Sequence, residues 1–268
     1  MKKLLAAVSV LVLSGALLAA CSSNATNKLV VGASATPHAE ILEQVKPILA
    51  EQGIELEIKV FDDYVLPNKA LESGDLDANY FQHIPYLEEQ IATYGYDFVN
   101  AGGIHIEPIG IYSQRYKSID EVKDGASVLM SNSVADHGRV LALLEAQGLI
   151  TLDPSVNKAA ATIEDITSNP KNLQFKADYA PALMAQIYLN DEGDLVIINT
   201  NFAISAGLNP LTDSIAIEGA DSPYVNIIAV RTEDKDDPRI KALVDALHSE
   251  EIQQWILDKY QGAVVPVE

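Results

Sequence analysis

The chain has 268 residues, with 38 Asp and Glu against 18 Lys and Arg, a formal net charge of −20, and a single cysteine. That balance argues against a nucleic-acid partner, because phosphate binding needs clustered Lys and Arg and the sequence has no such cluster. One cysteine rules out an intramolecular disulfide and a cysteine-rich metal site, and the length suffices for two domains of ordinary size.

At the N-terminus Lys2 and Lys3 precede an apolar run from Leu4 to Ala20 that ends in Leu18-Ala19-Ala20 before Cys21. Such a run is short for a hydrocarbon core of about 30 Å, and small residues at its end suit a peptidase, so residues 1–20 are expected to be a signal peptide. Loss of Lys2 and Lys3 with it would move the net charge from −20 to −22. Cys21, placed directly after Leu-Ala-Ala, resembles the lipobox cysteine of bacterial lipoproteins. That resemblance implies lipidation at Cys21 and a cell-membrane protein facing the extracytoplasmic side. The small polar residues that follow make 21–27 a lipidated tether.

Beyond Lys28 the pattern alternates strand and helix. Leu29–Gly32 reads as a buried strand, and Ala39–Glu51 as a helix with Ile41, Leu42, Val45, Ile48 and Leu49 on one face. Ile54–Phe61 alternates apolar and charged residues as a half-buried strand does. A short helix at Pro67–Ser73, a strand at Asp77–Phe81, a helix at Pro85–Tyr94 and a strand at Pro108–Ser113 continue the series. A second series follows, with a strand near Ser127–Met130, a helix over Ala135–Gln147 and an apolar strand at Leu195–Ile198. The chain closes with a strand at Tyr224–Arg231 and one or two amphipathic helices within Pro238–Tyr260, bearing Leu243, Leu247, Ile252, Trp255 and Ile256. Alternation of this kind predicts α/β architecture with largely parallel sheets in two lobes, and a cleft between lobes is a favoured place for a small ligand.

The motifs of common enzymes are missing: there is no Gly-x-Ser-x-Gly, phosphate loop, dinucleotide glycine fingerprint or His-Glu-x-x-His. No enzyme and no cofactor are therefore expected. The histidines, at 38, 83, 105, 137 and 248, have no close spacing of the kind that places two ligands on one helix, so no metal site is expected either; a metal-capture lipoprotein stays as a minor alternative. His83, between Phe81 and Pro85, stands out as a hydrogen-bonding group at a strand end.

Longer motifs point further. Asp63-Tyr64-Val65-Leu66-Pro67-Asn68-Lys69-Ala70-Leu71 is followed by Asp77-Ala78-Asn79-Tyr80-Phe81-Gln82-His83-Ile84-Pro85-Tyr86-Leu87, then by Ile106-Glu107-Pro108, Ser168-Asn169-Pro170-Lys171-Asn172-Leu173, Asn201-Phe202-Ala203 and Tyr224-Val225-Asn226. In this order they resemble the NlpA-type methionine-binding lipoproteins that serve ABC importers, over nearly the whole mature chain. The resemblance implies a two-lobed periplasmic-binding-protein-like fold, type II-like, with lobe one from residues 28–112 plus 223–268 and lobe two from 113–222. It implies a monomer that delivers methionine, as the L form and with the D form as a further candidate, to a membrane permease.

A free amino acid needs a cation for its carboxylate, acceptors for its ammonium and an apolar wall for its side chain. Arg139, in the first turns of a helix that follows Asn132-Ser133, is expected to address the carboxylate together with that helix N-terminus; pairing with a nearby acid is the plainer alternative. The family implies that Asn201 and Asn226 hold the head group, and turn capping is the alternative for both. Tyr64, Phe81 and Tyr86 offer an aromatic wall on which a thioether packs well. With His83 and Asn132 these complete the expected site. One departure bears on the ligand: where relatives carry Pro-Asn-Asp-x-x-Asn before the arginine, this chain reads Ser131 to Asp136, with Ser133 for an aspartate and Asp136 for an asparagine. The segment Ala177–Glu192 also differs. Another apolar amino acid or a Met-containing dipeptide is therefore kept as an alternative ligand.

Overall fold

The structure, a computed structural model, describes residues 27–219 and 222–267. The expected signal peptide, Cys21 and all of the tether before Asn27 lie outside the described residues. The first part of the chain runs β1 (Lys28–Ser34), α1 (Glu40–Glu51), β2 (Glu55–Phe61), α2 (Leu66–Glu72), β3 (Ala78–His83), α3 (Ile84–Tyr94) and β4 (Phe98–Ile106). The middle part runs β5 (Gly110–Tyr112), β6 (Ser127–Ser131), α4 (Val134–Ala146), β7 (Thr151–Leu152), β8 (Ile166–Ser168), β9 (Gln174–Tyr179), α5 (Met184–Leu189), β10 (Leu195–Ile198), α6 (Thr200–Ser205), α7 (Pro210–Asp213) and β11 (Ser214–Ile217). The last part runs β12 (Val225–Arg231), α8 (Pro238–Leu247), α9 (Glu250–Tyr260) and β13 (Val265–Pro266).

Two main sheets result, one six-stranded in the order β13-β4-β12-β3-β1-β2 and one five-stranded in the order β11-β5-β10-β6-β9. They are two α/β lobes. Neither sheet is purely parallel. In the first, β1 pairs parallel with β2 and β3, whereas β12 is antiparallel to both β3 and β4, and β13 is antiparallel to β4. In the second, β6 pairs parallel with β9 and β10, and β5 is antiparallel to β10 and β11. The reason is connectivity. Right-handed strand-helix-strand units keep one direction, but β5 and β12 each enter their sheet straight after a crossing from the other sheet, and each runs against its neighbours. The first crossing falls at residues 107–109, ahead of the expected boundary after Tyr112, because β5 bonds to β10 and β11.

Each sheet is covered by helices. In the first lobe Leu29, Val31 and Ala33 of β1 pack with Leu42, Val45 and Leu49 of α1 and with Leu243 and Leu247 of α8, and most of these side chains are wholly buried. Each large one stabilises the lobe by about 1.5–3 kcal/mol. On the opposite face Leu71, Leu76, Leu87, Phe98 and Ile227 form a smaller cluster. The expected C-terminal amphipathic stretch is two helices, because Asp237 caps α8 through Arg239 N (2.8 Å) and Ser249 caps α9 through Ile252 N (3.4 Å). Both are side-chain oxygens serving otherwise unpaired first-turn donors.

β3 is buried along its whole length although three of its six residues carry amides or imidazole. The polarity is satisfied internally: Asn79 Nδ2 and Gln82 Nε2 both donate to Asn68 Oδ1 (2.9 Å each), Gln82 Nε2 also reaches Asn79 Oδ1 (2.9 Å), and Asn68 Nδ2 donates to Gln82 Oε1 (3.1 Å). This closed network fixes α2 against β3 and so fixes the directions of Phe81 and His83.

Gly138 on α4 lies against the 3-10 turn at Lys158–Ala160. A Cβ there would stand 2.4 Å from Ala159 O and 2.5 Å from Lys158 O, both backbone atoms that cannot rotate away. Gly138→Ala is therefore expected to lower unfolding stability by about 1–3 kcal/mol, read as a lower urea midpoint at unchanged slope; an unchanged midpoint would show that the turn yields freely.

Candidate functional site

The two crossings run side by side. Glu218 N donates to Ile109 O (2.9 Å) and Ile109 N donates to the Glu218 carboxylate (3.2 Å), so residues 107–109 and 218 are locked together between the sheets. Next to this junction lies a cavity bordered by Tyr64, Phe81, His83, Tyr86, Arg139, Asn201 and Asn226, seven of the eight expected residues, together with Gln82, Glu107, Asn199 and Thr200. Asn132 is the exception. Its backbone N–H donates to Tyr179 O (2.8 Å), and it borders a neighbouring cleft of about 330 Å³ that also touches Tyr64, Tyr86 and Phe202. The bend that follows β6 turns Asn132 outward, toward the cleft mouth.

The free space of the first cavity is about 20 Å³, room for one or two waters. It is narrow because the lobes touch across it. Tyr64 Oη donates to Asn201 Oδ1 (2.6 Å), and Tyr86 Oη donates to Tyr64 O (2.8 Å). Tyr64 sits with ring centroids 6.0 Å from Phe81, 5.9 Å from Tyr86 and 5.0 Å from Phe202, which makes an aromatic wall of four rings. Phe202 and Glu107 were not among the expected site residues; both lie inside motifs already noted, Phe202 beside Asn201 and Glu107 directly after β4.

His83 bridges the lobes. Its Nδ1 accepts the Tyr86 N–H as the N-cap of α3 (3.1 Å), so its proton lies on Nε2 and donates to Asp136 Oδ1 (3.1 Å) on α4. Asn199 Nδ2 reaches the other Asp136 oxygen (3.3 Å). Burial opposes ionisation of Asp136, but the His83 bond and the positive charge of Arg139 outweigh it and hold the carboxyl below its ordinary range.

Arg139 is buried, and its donors are largely committed. Nε donates to Glu218 Oε2 (3.1 Å), Nη2 donates to the same oxygen and to Glu107 O (2.8 Å), and the guanidinium carbon lies 4.4 Å from the Tyr224 ring centroid. Nη1 stands 3.6 Å from Asp136 Oδ1. The expected open fork is thus an arginine already paired on one edge, with Nη1 making no hydrogen bond among the described residues and Asp136 as its nearby acid.

Below the cavity the chain joins two of the histidines that spacing alone kept apart. His105 Nε2 lies 2.8 Å and His38 Nε2 3.2 Å from Glu107 Oε1, and His38 Nε2 is 3.0 Å from Asn226 Oδ1. Tyr80 Oη bonds His105 Nδ1 at 2.5 Å. The candidate metal-ligand atoms of His38, His105 and Glu107 lie within 4.8 Å of one another. Most of these spacings are hydrogen-bond lengths: His105 Nε2–H points at the carboxylate with the Tyr80 hydroxyl on its Nδ1, and His38 Nε2–H points at Asn226 Oδ1, while His38 Nδ1 is buried without a partner among the described residues.

Burial pulls the His38 imidazole down to about 4 and His105 to about 3, and pushes the Glu107 carboxyl up. Between pH 6.5 and these values the unfolded chain binds protons that the folded imidazoles refuse. The stability they contribute is therefore complete above pH 6.5 and is lost as pH falls toward 4; Glu107 acts in the opposite sense just above the usual carboxylate range. The stability advantage of the wild type over His38→Asn should accordingly shrink between pH 7.5 and pH 5 in urea unfolding, and an advantage that grows at pH 5 would contradict the arrangement.

The profile of the family described as NlpA lipoprotein matches residues 29–268. The chain is 50% identical to the methionine-binding lipoprotein MetQ of Bacillus subtilis, with 100% of this chain and 99% of that one covered. Among solved structures it is similar to a pheromone cOB1 precursor/lipoprotein of the YaeC family from Enterococcus faecalis, at TM-score 0.88 and 55% identity over 90% of this chain and 100% of that one. It is also similar to a nutrient binding protein from Burkholderia cenocepacia bound to methionine, at TM-score 0.84 and 40% identity over 90% of this chain and 100% of that one.

Proposed function

From the fact that the chain belongs to the NlpA lipoprotein family, we propose that it is an extracytoplasmic substrate-binding protein that captures methionine and delivers it to an ABC importer. The observation that carries the reading is the cavity at the lobe junction, where one cation, several amide and carboxylate acceptors and an aromatic wall converge within reach of one small zwitterion. The wall of Tyr64, Phe81, Tyr86 and Phe202 suits a thioether, with sulfur-aromatic contacts each contributing about 0.3–1.5 kcal/mol. Arg139 Nη1 faces the carboxylate, and the oxygens of Asn201 and Asn226 face the head group. The role is binding rather than catalysis, and in it the chain acts as a monomer that meets a membrane permease.

A methionine side chain needs more room than about 20 Å³, so the Tyr64–Asn201 and His83–Asp136 contacts must part for entry, with the two crossings as hinge. Among the described residues no helix is long and apolar enough to cross a membrane. Attachment is assigned to a lipid on Cys21. Cys21→Ala should release the protein from the membrane fraction; full retention would remove the anchor from the proposal.

Calorimetric titration of the full chain in detergent, freed of co-purified ligand by unfolding and refolding, should give micromolar or tighter binding of L-methionine. Arg139→Ala, which also strands Glu218 and Asp136 without their cation, should weaken that binding at least tenfold, in line with about 1.5–3 kcal/mol for a hydrogen bond to a charged group. Binding of leucine or glycyl-methionine in the absence of any heat from L-methionine would keep the transport role and replace the ligand.

A further inference from the structure

We propose that Glu107 is the charge partner of the ligand's ammonium, and that this chamber selects its ligand by the ammonium more than by the carboxylate; the inference rests on the amino-acid reading above. Glu107 borders the cavity and is itself buried. Of the two imidazoles beneath it, His105 bonds Oε1, while His38 Nε2 bonds Asn226 Oδ1 and stands 3.2 Å from that same Glu107 oxygen. Among the described residues no side chain hydrogen-bonds Oε2; besides His105 the carboxylate is served by the Asn201 backbone N–H, a neutral donor that leaves its charge without a direct ion pair. The adjacent arginine does not neutralise this carboxylate directly, since Arg139 Nη2 bonds the Glu107 backbone oxygen instead.

The carboxylate side of the chamber is weaker than an arginine alone suggests. A guanidinium has five N–H donors. Three of them are committed, one on Nε and two on Nη2, and the two on Nη1 already face Asp136 Oδ1 at 3.6 Å. Asp136 and Glu218 together place two carboxylates around that one cation. An arriving carboxylate therefore meets a cation that is already compensated, whereas an arriving ammonium meets a buried carboxylate held by neutral donors, the His105 imidazole and the Asn201 backbone N–H. Burial raises the Glu107 carboxyl above its ordinary range, and an ammonium beside Oε2 relieves that penalty. The ligand class is thus a primary α-amine with an apolar side chain. Oxo acids and N-acylated amino acids are excluded.

The test compares four ligands on the unaltered full chain by calorimetry: L-methionine, L-methioninamide, 4-(methylthio)-2-oxobutanoate and N-acetyl-L-methionine. The oxo acid and the N-acetyl compound, which keep the carboxylate and lose the ammonium, should bind about 10- to 100-fold more weakly than L-methionine. The amide, which keeps the ammonium and loses the carboxylate charge, should lose less than either. Glu107→Gln keeps the shape of the side chain, and in it the preference for L-methionine over the oxo acid should collapse to a few-fold, a change that general loosening of the site would not produce. Should that variant fail to fold, the ligand series decides alone. Equal binding of the oxo acid and L-methionine, or a larger loss for the amide than for the oxo acid, overturns the assignment of Glu107 while leaving the methionine reading intact. If none of the four binds, the amino-acid reading itself falls and takes this inference with it.

Discussion

Arg139 is only 4% exposed, and a buried guanidinium is tolerable only when acceptors surround it. Those acceptors come from three places in the chain: Glu107 O in the first crossing, Glu218 in the second, and Asp136 one turn earlier on α4. The arginine thereby ties both crossings to the helix that carries it. Because Glu218 also accepts the Ile109 N–H, one carboxylate serves the contact between the crossings and the cation at once. Moving either crossing by a residue would strand a buried charge, which explains how two lobes joined by two short connections hold a defined junction.

Around this junction two imidazoles, His83 and His105, act as fixed struts. Each has one ring nitrogen set by a neighbour: His83 Nδ1 by the Tyr86 N–H, and His105 Nδ1 by the Tyr80 hydroxyl. Setting one nitrogen decides what the other can do, so Nε2 becomes a donor aimed at Asp136 in the first case and at Glu107 in the second. A binding chamber needs this kind of support, since a site held only by its own contacts loses geometry when ligand enters or leaves.

Much of the architecture was legible because it rests on local periodicity. The helix expected at 39–51 and found at 40–51, the amphipathic C-terminal stretch, and the buried strands expected at 29–32 and 195–198 all follow from apolar spacing, whereas the division of that stretch into two helices was left open. β4 was not legible: Phe98–Ile106 carries Asn100, Gly102 and Gly103, residues that depress strand propensity. Contacts distant in sequence require these glycines, because a Cβ on Gly102 would stand 2.7 Å from Val244 and one on Gly103 2.8 Å from Val225. Strand direction was equally hidden, since it is set by the crossings rather than by any local pattern. The aromatic wall, His83, the two asparagines and the arginine were nominated through family motifs and meet at one cavity, whereas Glu107 was passed over because a lone acid beside a proline resembles any surface acid. Convergence of His38 with His105 was invisible for the same reason: pairing of β1, β3, β12 and β4 in one sheet creates it, and spacing along the chain does not.

Asp136, at the position where the family motif noted above implies asparagine, follows from the same accounting of donors. Its two oxygens face two groups that can only donate to it, the His83 Nε2–H and the Asn199 amide nitrogen. The His83 tautomer cannot reverse, because Nδ1 is held by the Tyr86 N–H. An asparagine here would point its own NH₂ at one of these donors unless Asn199 turned its amide over. A carboxylate satisfies both without adjustment and adds a negative charge beside Arg139. A carboxylate at this position therefore stiffens the contact between lobes and at the same time spends part of the arginine's charge within the protein, the imbalance on which the proposed role of Glu107 rests.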